Sequence, residues 1–246
     1  MVSDTGYKGV VIQIHEYNFS KLEIKRENEE NFILTVGGGM LMKTLAIEAC
    51  LLSLTGFEDI IDIPGTVGAG IIMNASFRSE GLARPLTSVK VITNEGKILK
   101  LSKTECKLGR RGSMLKVKKY IVIEATFKLK KGDKMIIQKK MAENTSLRYK
   151  KQPMYFRSAG CFFIWDKKYG SLYNKYKENN IVSYRVRNIM VYTYNIAFIV
   201  NLGKGTANDV MEVVNYIEKI IKKQYNISMK REVIIIGTIK NIHYYF

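Results

Sequence analysis

The sequence predicts a two-domain α+β chain, on three observations. Short apolar segments separated by polar turns recur from Gly9 to Val36 and again from Ser88 to Leu129, the spacing of antiparallel strands. One strongly amphipathic helix stands near the end of the chain, from Thr206 to Lys223. A length of 246 residues, at about 150 per domain, leaves room for two modest domains, and a lysine-rich connector supplies the break. The 46% hydrophobic and 25% charged content is that of a folded globular chain and excludes disorder, collagen-like repeats and a coiled coil.

In chain order, strands are expected at Val10–Ile14, Lys21–Lys25 and Phe32–Val36, after which Gly37-Gly38-Gly39 makes a sharp turn. Leu41–Leu54 carries Leu41, Leu45, Ala46, Ala49, Leu52 and Leu54 mostly three or four apart, which predicts a helix buried on one face and stopped by Gly56. Ile60–Ala75 is the densest run of glycine and apolar residues. Strands follow at Ser88–Ile92, Lys97–Leu101 and Tyr120–Leu129, the first two joined by a turn at Asn94-Glu95-Gly96. Met135–Lys151 is a lysine-rich helical connector ending at Pro153, and it marks the boundary. The expected division is 1–132, then 133–232 with the connector, then 233–246 as a strand returning towards the first domain. Thr206 and Asp209 resemble a capping box, and Val210, Val213, Val214, Ile217, Ile220 and Ile221 form one stripe of the late helix. Val233–Ile236, four apolar residues in a row, predict a strand covered on both faces.

The balance of 40 Lys+Arg against 22 Asp+Glu gives +18, which suits a nucleic-acid binder, an anionic-membrane binder or an enzyme of phosphorylated substrates; AT-rich codons would produce the same bias. No apolar run reaches the ~18 residues of a membrane span, and the start lacks a signal pattern, so a soluble cytoplasmic protein is expected. The three cysteines, Cys50, Cys106 and Cys161, are odd in number and widely spaced, which fits a reducing compartment rather than a disulfide framework. With only His15 and His243, near opposite ends, no metal site and no Ser-His-Asp catalysis is expected. Gly37 to Lys43-Thr44 fails as a Walker A loop, because Met42 stands where glycine must let the backbone wrap phosphate, and the glycines at 65, 68 and 70 do not space as GxGxxG. An enzyme built from these residues would lean on a cofactor, supported by Arg, Glu, Cys or Tyr. Pro64-Gly65-Thr66-Val67-Gly68-Ala69-Gly70 would let backbone N–H groups approach a pyrophosphate; the plainer alternative is a tight turn into a helix-like stretch at Ile71–Ala75.

Several collinear motifs resemble one family. Gly56-Phe57-Glu58-Asp59-Ile60, then Ile63-Pro64-Gly65-Thr66-Val67-Gly68, then Met73-Asn74-Ala75 look like the flavin-binding signature of the UDP-N-acetylenolpyruvoylglucosamine reductases, in the shorter type without the extra substrate-loop insertion. Val2-Ser3-Asp4-Thr5-Gly6-Tyr7-Lys8-Gly9, Lys151-Gln152-Pro153 with Arg157-Ser158-Ala159-Gly160-Cys161-Phe162-Phe163, Phe198-Ile199-Val200-Asn201, Gly205-Thr206-Ala207-Asn208-Asp209-Val210 and Arg231-Glu232-Val233-Ile234-Ile235-Ile236-Gly237 continue the match over essentially the whole chain.

The resemblance implies a vanillyl-alcohol-oxidase-like FAD-binding domain, with its first subdomain largely absent, followed by a substrate-binding α/β domain. It implies hydride transfer from NADPH to FAD and on to UDP-N-acetylglucosamine enolpyruvate, giving UDP-N-acetylmuramate for peptidoglycan, by a monomer with no nucleic-acid or membrane partner. Carried over residue by residue, it makes Arg111 the cation near flavin and substrate carboxylate, Cys161 the proton donor where the family has serine, and Glu232 the residue polarising the enolpyruvyl group. It assigns FAD contacts to Ile63, Pro64, Gly65, Thr66, Val67, Gly68, Asn74 and Arg111, and substrate contacts to Arg148, Gln152 and Arg157. Arg110 stands where the family has tyrosine, Ala69-Gly70 inverts the usual Gly-Ala, and Tyr192 and Asn195 stand where Ser and His are common. The family carries a Gly-Ser-Asn pyrophosphate loop ahead of this point, so the resemblance also implies an N-terminal truncation or a degenerate relative without catalysis. A basic nucleic-acid binder, stacking bases on some of its 15 tyrosines, is the reading from another class.

Overall fold

The structure, a computed structural model, describes residues 1–14, 19–77 and 81–238. Both histidines lie outside them. The chain divides into two compact units, one of Ile12–Leu147 and one made of two segments, Met1–Val11 and Arg148–Phe246. The α+β class holds in each.

The first unit runs β1 (Leu22–Arg26), β2 (Asn31–Gly37), α1 (Met42–Leu51), β3 (Leu54–Thr55), α2 (Val67–Ile72), β4 (Leu86–Ile92), β5 (Ile98–Ser102), α3 (Met114–Val117), β6 (Ile121–Lys131) and most of α4 (Lys134–Lys151). The strands form one antiparallel sheet in the order β1-β2-β6-β4-β5, with β3 also on β6. Alternation decides which face is covered. Leu34 and Val36 on β2, Val89 and Val91 on β4 and Ala125, Phe127 and Leu129 on β6 are buried, whereas Thr35, Lys90 and Lys128 between them are not. The register sets Leu34 opposite Phe127 and Val36 opposite Ala125, so the apolar rows meet. Leu45, Ala46, Val67 and Ile71 from α1 and α2 complete this core, and Phe57 stands edge-on to Phe127 with ring centroids 5.1 Å apart.

Gly56-Phe57-Glu58-Asp59 is a structural device. The buried Glu58 carboxylate accepts the Thr55 hydroxyl at 2.5 Å and the Gly56 N–H at 2.9 Å, and Asn144 of α4 donates to the Glu58 carbonyl and to Asp59 Oδ1 at 3.1 and 2.9 Å. This corner fastens α4 to the first unit.

The second unit contains β7 (Arg157–Cys161), β8 (Phe163–Ile164), α5 (Leu172–Glu178), β9 (Arg185–Val186), β10 (Ile189–Val191), β11 (Phe198–Asn201), α6 (Ala207–Tyr225) and β12 (Lys230–Arg231). A sheet β7-β11-β10-β9 and a pair β12-β8, all antiparallel, pack with α6 around Phe162, Tyr176, Ile189 and Val191. The apolar stripe of α6 buries Met211, Val213, Val214, Ile217 and Ile221. Its capping box is formed: Thr206 Oγ1 accepts the Asp209 N–H at 3.1 Å and Asp209 Oδ2 accepts the Thr206 N–H at 2.9 Å. The Thr206 N–H, followed by Arg187, holds the Asp209 carboxyl below the usual carboxylate range. From the other end of the chain, Asp4 adds its carboxylate to the same helix terminus, accepting the Ala207 and Asn208 N–H groups at 2.7 and 3.2 Å.

Four expectations are corrected. Val10–Ile14 forms no strand; Val10 is 86% exposed, and among the described residues no strand pairs with this segment to make a ladder. The helix expected over Leu41–Leu54 stops at Leu51, because Leu54 turns into β3 and pairs with Lys131. Val233–Ile236 is not a strand covered on both faces, since Ile234 is 64% exposed. That segment pairs within its own unit: the Met1 ammonium donates to the Ile234 carbonyl, the Ile236 N–H to the Met1 carbonyl and the Ser3 N–H to the Ile236 carbonyl, all at 2.8–2.9 Å. The first unit accordingly begins at Ile12 and extends to Leu147 within α4, rather than spanning 1–132. Among the described residues no helix is long and apolar enough to cross a membrane.

Replacing Glu58 by Ala removes the acceptor of two hydrogen bonds at a buried charged group, each worth about 1.5–3 kcal/mol. Urea unfolding of the Glu58→Ala protein should show a loss of about that size, whereas Glu29→Ala, at an exposed position, should stay near the parent.

Candidate active site

In the first unit the candidate flavin cradle is a meeting of three turns. Thr66 is the N-cap of α2, its hydroxyl accepting the Ala69 N–H at 3.4 Å, so the glycine run is half helix: Gly68 and Gly70 lie inside α2, and the helix expected at Ile71–Ala75 begins earlier, at Val67. The Val67 N–H donates to the Met40 carbonyl and the Gly68 N–H to the Gly38 carbonyl, both at 2.8 Å. These two residues are occupied in holding α2 against the Gly37-Gly38-Gly39 turn. Gly68 is there because a Cβ would lie 2.9 Å from both the Gly38 and the Val122 carbonyl oxygens. Pro64 and Gly65 face solvent, with Gly65 at φ +108.

Beyond α2, Asn74 donates from Nδ2 to the Gly109 carbonyl at 2.9 Å, and the Ser113 hydroxyl donates to the Ile72 carbonyl at 2.8 Å. These bonds tie the end of α2 to the turn that carries Arg111, itself closed by the Gly109 N–H on the Gly112 carbonyl. Arg111 sits in the left-handed region at φ +56. A non-glycine residue held there costs on the order of 1 kcal/mol or more, and such strain gathers at sites where a side chain must be aimed. Asn74 Oδ1 is buried and without a hydrogen-bond partner. An orphaned acceptor just past the end of α2, tied to the turn that carries Arg111, fits a flavin cofactor with N–H groups to offer.

In the second unit, Cys161 ends β7 opposite Phe198 of β11. Glu232 follows β12 and donates its N–H to the Phe162 carbonyl at 2.8 Å, which puts the backbone of Glu232 next to that of Cys161. A cavity of about 230 Å³ is lined in part by Arg157, Ser158, Phe162 and Asn201. Arg148 is buried on the last turn of α4, and its carbonyl accepts the Gln152 N–H at 2.8 Å. The structure thus groups Ile63–Gly68, Asn74 and Arg111 in one unit, and Arg148, Gln152, Arg157, Cys161 and Glu232 in the other.

Three partners have no legible signal in the sequence: Ser113, which N-caps α3 through the Lys116 N–H; Asp4, which binds 203 residues away; and Glu218, which grips Arg231. The cysteines differ. Cys106 is fully buried, and burial, helped by the charge of Glu105, pushes its thiol up from 9.0 to about 11, whereas Cys161 is half-buried.

A sequence model of the UDP-N-acetylenolpyruvoylglucosamine reductase C-terminal domain matches residues 152–236. A UDP-N-acetylenolpyruvoylglucosamine reductase of Lachnoclostridium phytofermentans is 34% identical over 239 residues, covering 96% of this chain and 76% of that protein. One from Listeria innocua is 32% identical over 96% of this chain and 77% of its own. The crystal structure of UDP-N-acetylenolpyruvylglucosamine reductase from Thermus caldophilus superposes with a TM-score of 0.71 at 31% identity, covering 82% of this chain and 72% of that one.

Gly68→Ala should weaken FAD binding and lower the melting temperature together, because its Cβ forces α2 off the Gly38 turn, while Gly109→Ala, with open space around the added methyl, should keep the parent melting temperature. Iodoacetamide near pH 8 should label Cys161 and spare Cys106, as peptide mass spectrometry would show. A thiol whose folded pKa is raised stabilises the fold below its unfolded value, and that contribution is lost as pH rises through the folded one; unfolding midpoints should therefore fall between pH 9.0 and about 11 and fall less in Cys106→Ala.

Proposed function

The chain belongs to the UDP-N-acetylenolpyruvoylglucosamine reductase family, and we propose that its own Arg111, Cys161 and Glu232 carry out that family's reduction of an enolpyruvyl UDP-sugar for peptidoglycan synthesis. One observation carries the assignment of residues. The Glu232 N–H bonded to the Phe162 carbonyl brings together two motifs far apart in sequence, the proton-donor segment and the glutamate, at one end of a short ladder.

FAD, when bound, supplies the hydride, having received it from NADPH. Gly65 and Thr66 would offer backbone N–H groups to its phosphates, with Ile63 and Pro64 shaping the turn that presents them, and the Asn74 Oδ1 would accept from one of its N–H groups. Val67 and Gly68 shape that cradle from behind. As negative charge moves onto the carbon bearing the substrate carboxylate, the Arg111 guanidinium stabilises it, and the cation acts in the transition state more than in the ground state. Cys161 then gives its thiol proton to that carbon, and Glu232 orients the enolpyruvyl group against it. Arg157, exposed at the rim of the cavity, and Arg148 with Gln152 hold the diphosphate and sugar. A monomer working in the cytoplasm, where NADPH is available, suits this chemistry, and the +18 charge serves three phosphate-bearing ligands.

Stopped-flow kinetics of the two half-reactions tests the assignment. Cys161→Ala should keep the NADPH-driven reduction of FAD and lose the oxidation of reduced flavin by the enolpyruvyl substrate, by roughly 10²–10⁴-fold. Cys161→Ser should restore much of it and remove any alkaline fall in rate. Arg111→Ala should slow the oxidative half-reaction more than it weakens FAD binding, with Arg110→Ala close to the parent. An Ala variant at Cys161 that turns over the substrate at the parent rate would make the thiol a packing residue.

A further inference from the structure

We infer that Glu218 and Arg231 form a positioning pair that fixes Glu232 for reaction, an inference that rests on the role given to Glu232 above. The strand that delivers Glu232 is only two residues long: β12 meets β8 with Lys230 opposite Ile164 and Arg231 opposite Phe163. So short a ladder has little power to hold its own register. What holds it is a fork. Arg231 donates from Nε to Glu218 Oε1 and from Nη2 to Glu218 Oε2, both at 2.7 Å, with side chains 16% and 10% exposed, and Asn215 Oδ1 lies 3.5 Å from the same Nη2. Two parallel N–H···O bonds from a planar guanidinium fix direction as well as distance, which a single lysine bond would not.

Glu218 is a firm anchor. It lies on the buried face of the 19-residue α6, next to Ile217 and Ile221, and faces the buried Tyr176 phenol, which burial first and the Glu218 charge second hold above the ordinary tyrosine range. Arg231 is turned onto α6, and the Glu232 N–H on the Phe162 carbonyl carries the pairing one residue further, which sets the backbone of Glu232 opposite Phe162, the residue after Cys161. A slip of one residue would carry Arg231 away from Glu218, break the fork and move Glu232 off the Phe162 carbonyl. The pair touches no substrate; it acts through Glu232.

The test replaces both partners at once, Glu218→Leu with Arg231→Met, since an apolar pair of similar volume keeps a fold that a lone buried charge would break. Amide hydrogen exchange on the protein without flavin should show the Glu232 N–H exchanging roughly tenfold or more faster, with Val214 inside α6 unchanged. In the FAD-loaded protein, flavin oxidation by the enolpyruvyl substrate should slow roughly 10–100-fold while FAD reduction by NADPH stays within about twofold. Arg231→Lys, which keeps the charge and loses the fork, should show the same exchange signature. Parent-like exchange at Glu232 and a parent-like oxidative rate in both variants would overturn the inference. Glu232→Gln, measured beside them, separates the two ideas: if it is slow while the pair variants are not, positioning alone fails; if it too turns over at the parent rate, the role of Glu232 fails and the positioning with it.

Discussion

The Asp4 carboxylate on the first turn of α6 closes a loop in which donor and acceptor are 203 residues apart, and the second unit depends on it. Helix termini leave N–H groups unpaired and carry partial positive charge, so a carboxylate from elsewhere in the chain is held there by charge-assisted bonds. With Asp4 fixed, Met1 to Ser3 run beside Ile234 and Ile236, and that contact steadies the segment leaving β12. The capping box of Thr206 and Asp209 occupies the remaining donors, and Arg187 pairs with Asp209 from the sheet side at 2.6 Å. One helix end therefore gathers the first residues of the chain, a β-turn arginine and the helix itself.

Legibility followed length and period. The apolar stripe of α6 and the alternation of β2, β4 and β6 repeat often enough to be seen in one sequence, and the structure has them within a few residues of expectation. The second unit's strands, two to five residues each, are too short for a period of two to declare itself; the family motifs overlap β7, β8, β11 and β12, and nothing in the sequence points to β9 or β10. Val10–Ile14 had the right composition for a strand and no neighbour, a fact that no local pattern carries. The glycine run shows another limit. Spacing could not say that Gly68 serves backbone-to-backbone packing while Gly65 supplies a positive φ, because the two demands select the same residue.

The two halves of the candidate chemistry are built differently. The turn that carries Arg111 is fastened by neutral hydrogen bonds from Asn74 and Ser113, in a stretch of sequence crowded with Lys103, Lys107, Arg110 and Lys116. Cys161 and Glu232 are set by strand pairing and by a buried ion pair, where charge is already balanced. In both halves the backbone around the candidate residue is fastened by bonds from neighbouring residues.

The split composition of the second unit bears on the order in which the chain folds. The segment Met1–Val11 finds its partners on α6 and at Ile234–Ile236, across the whole of Ile12–Leu147. The intervening unit holds most of its contacts within itself and can collapse without either flanking segment. Contacts of such long separation form slowly. Until they form, Val10 and Val11, exposed even in the folded chain, belong to an apolar stretch open to pairing with other chains.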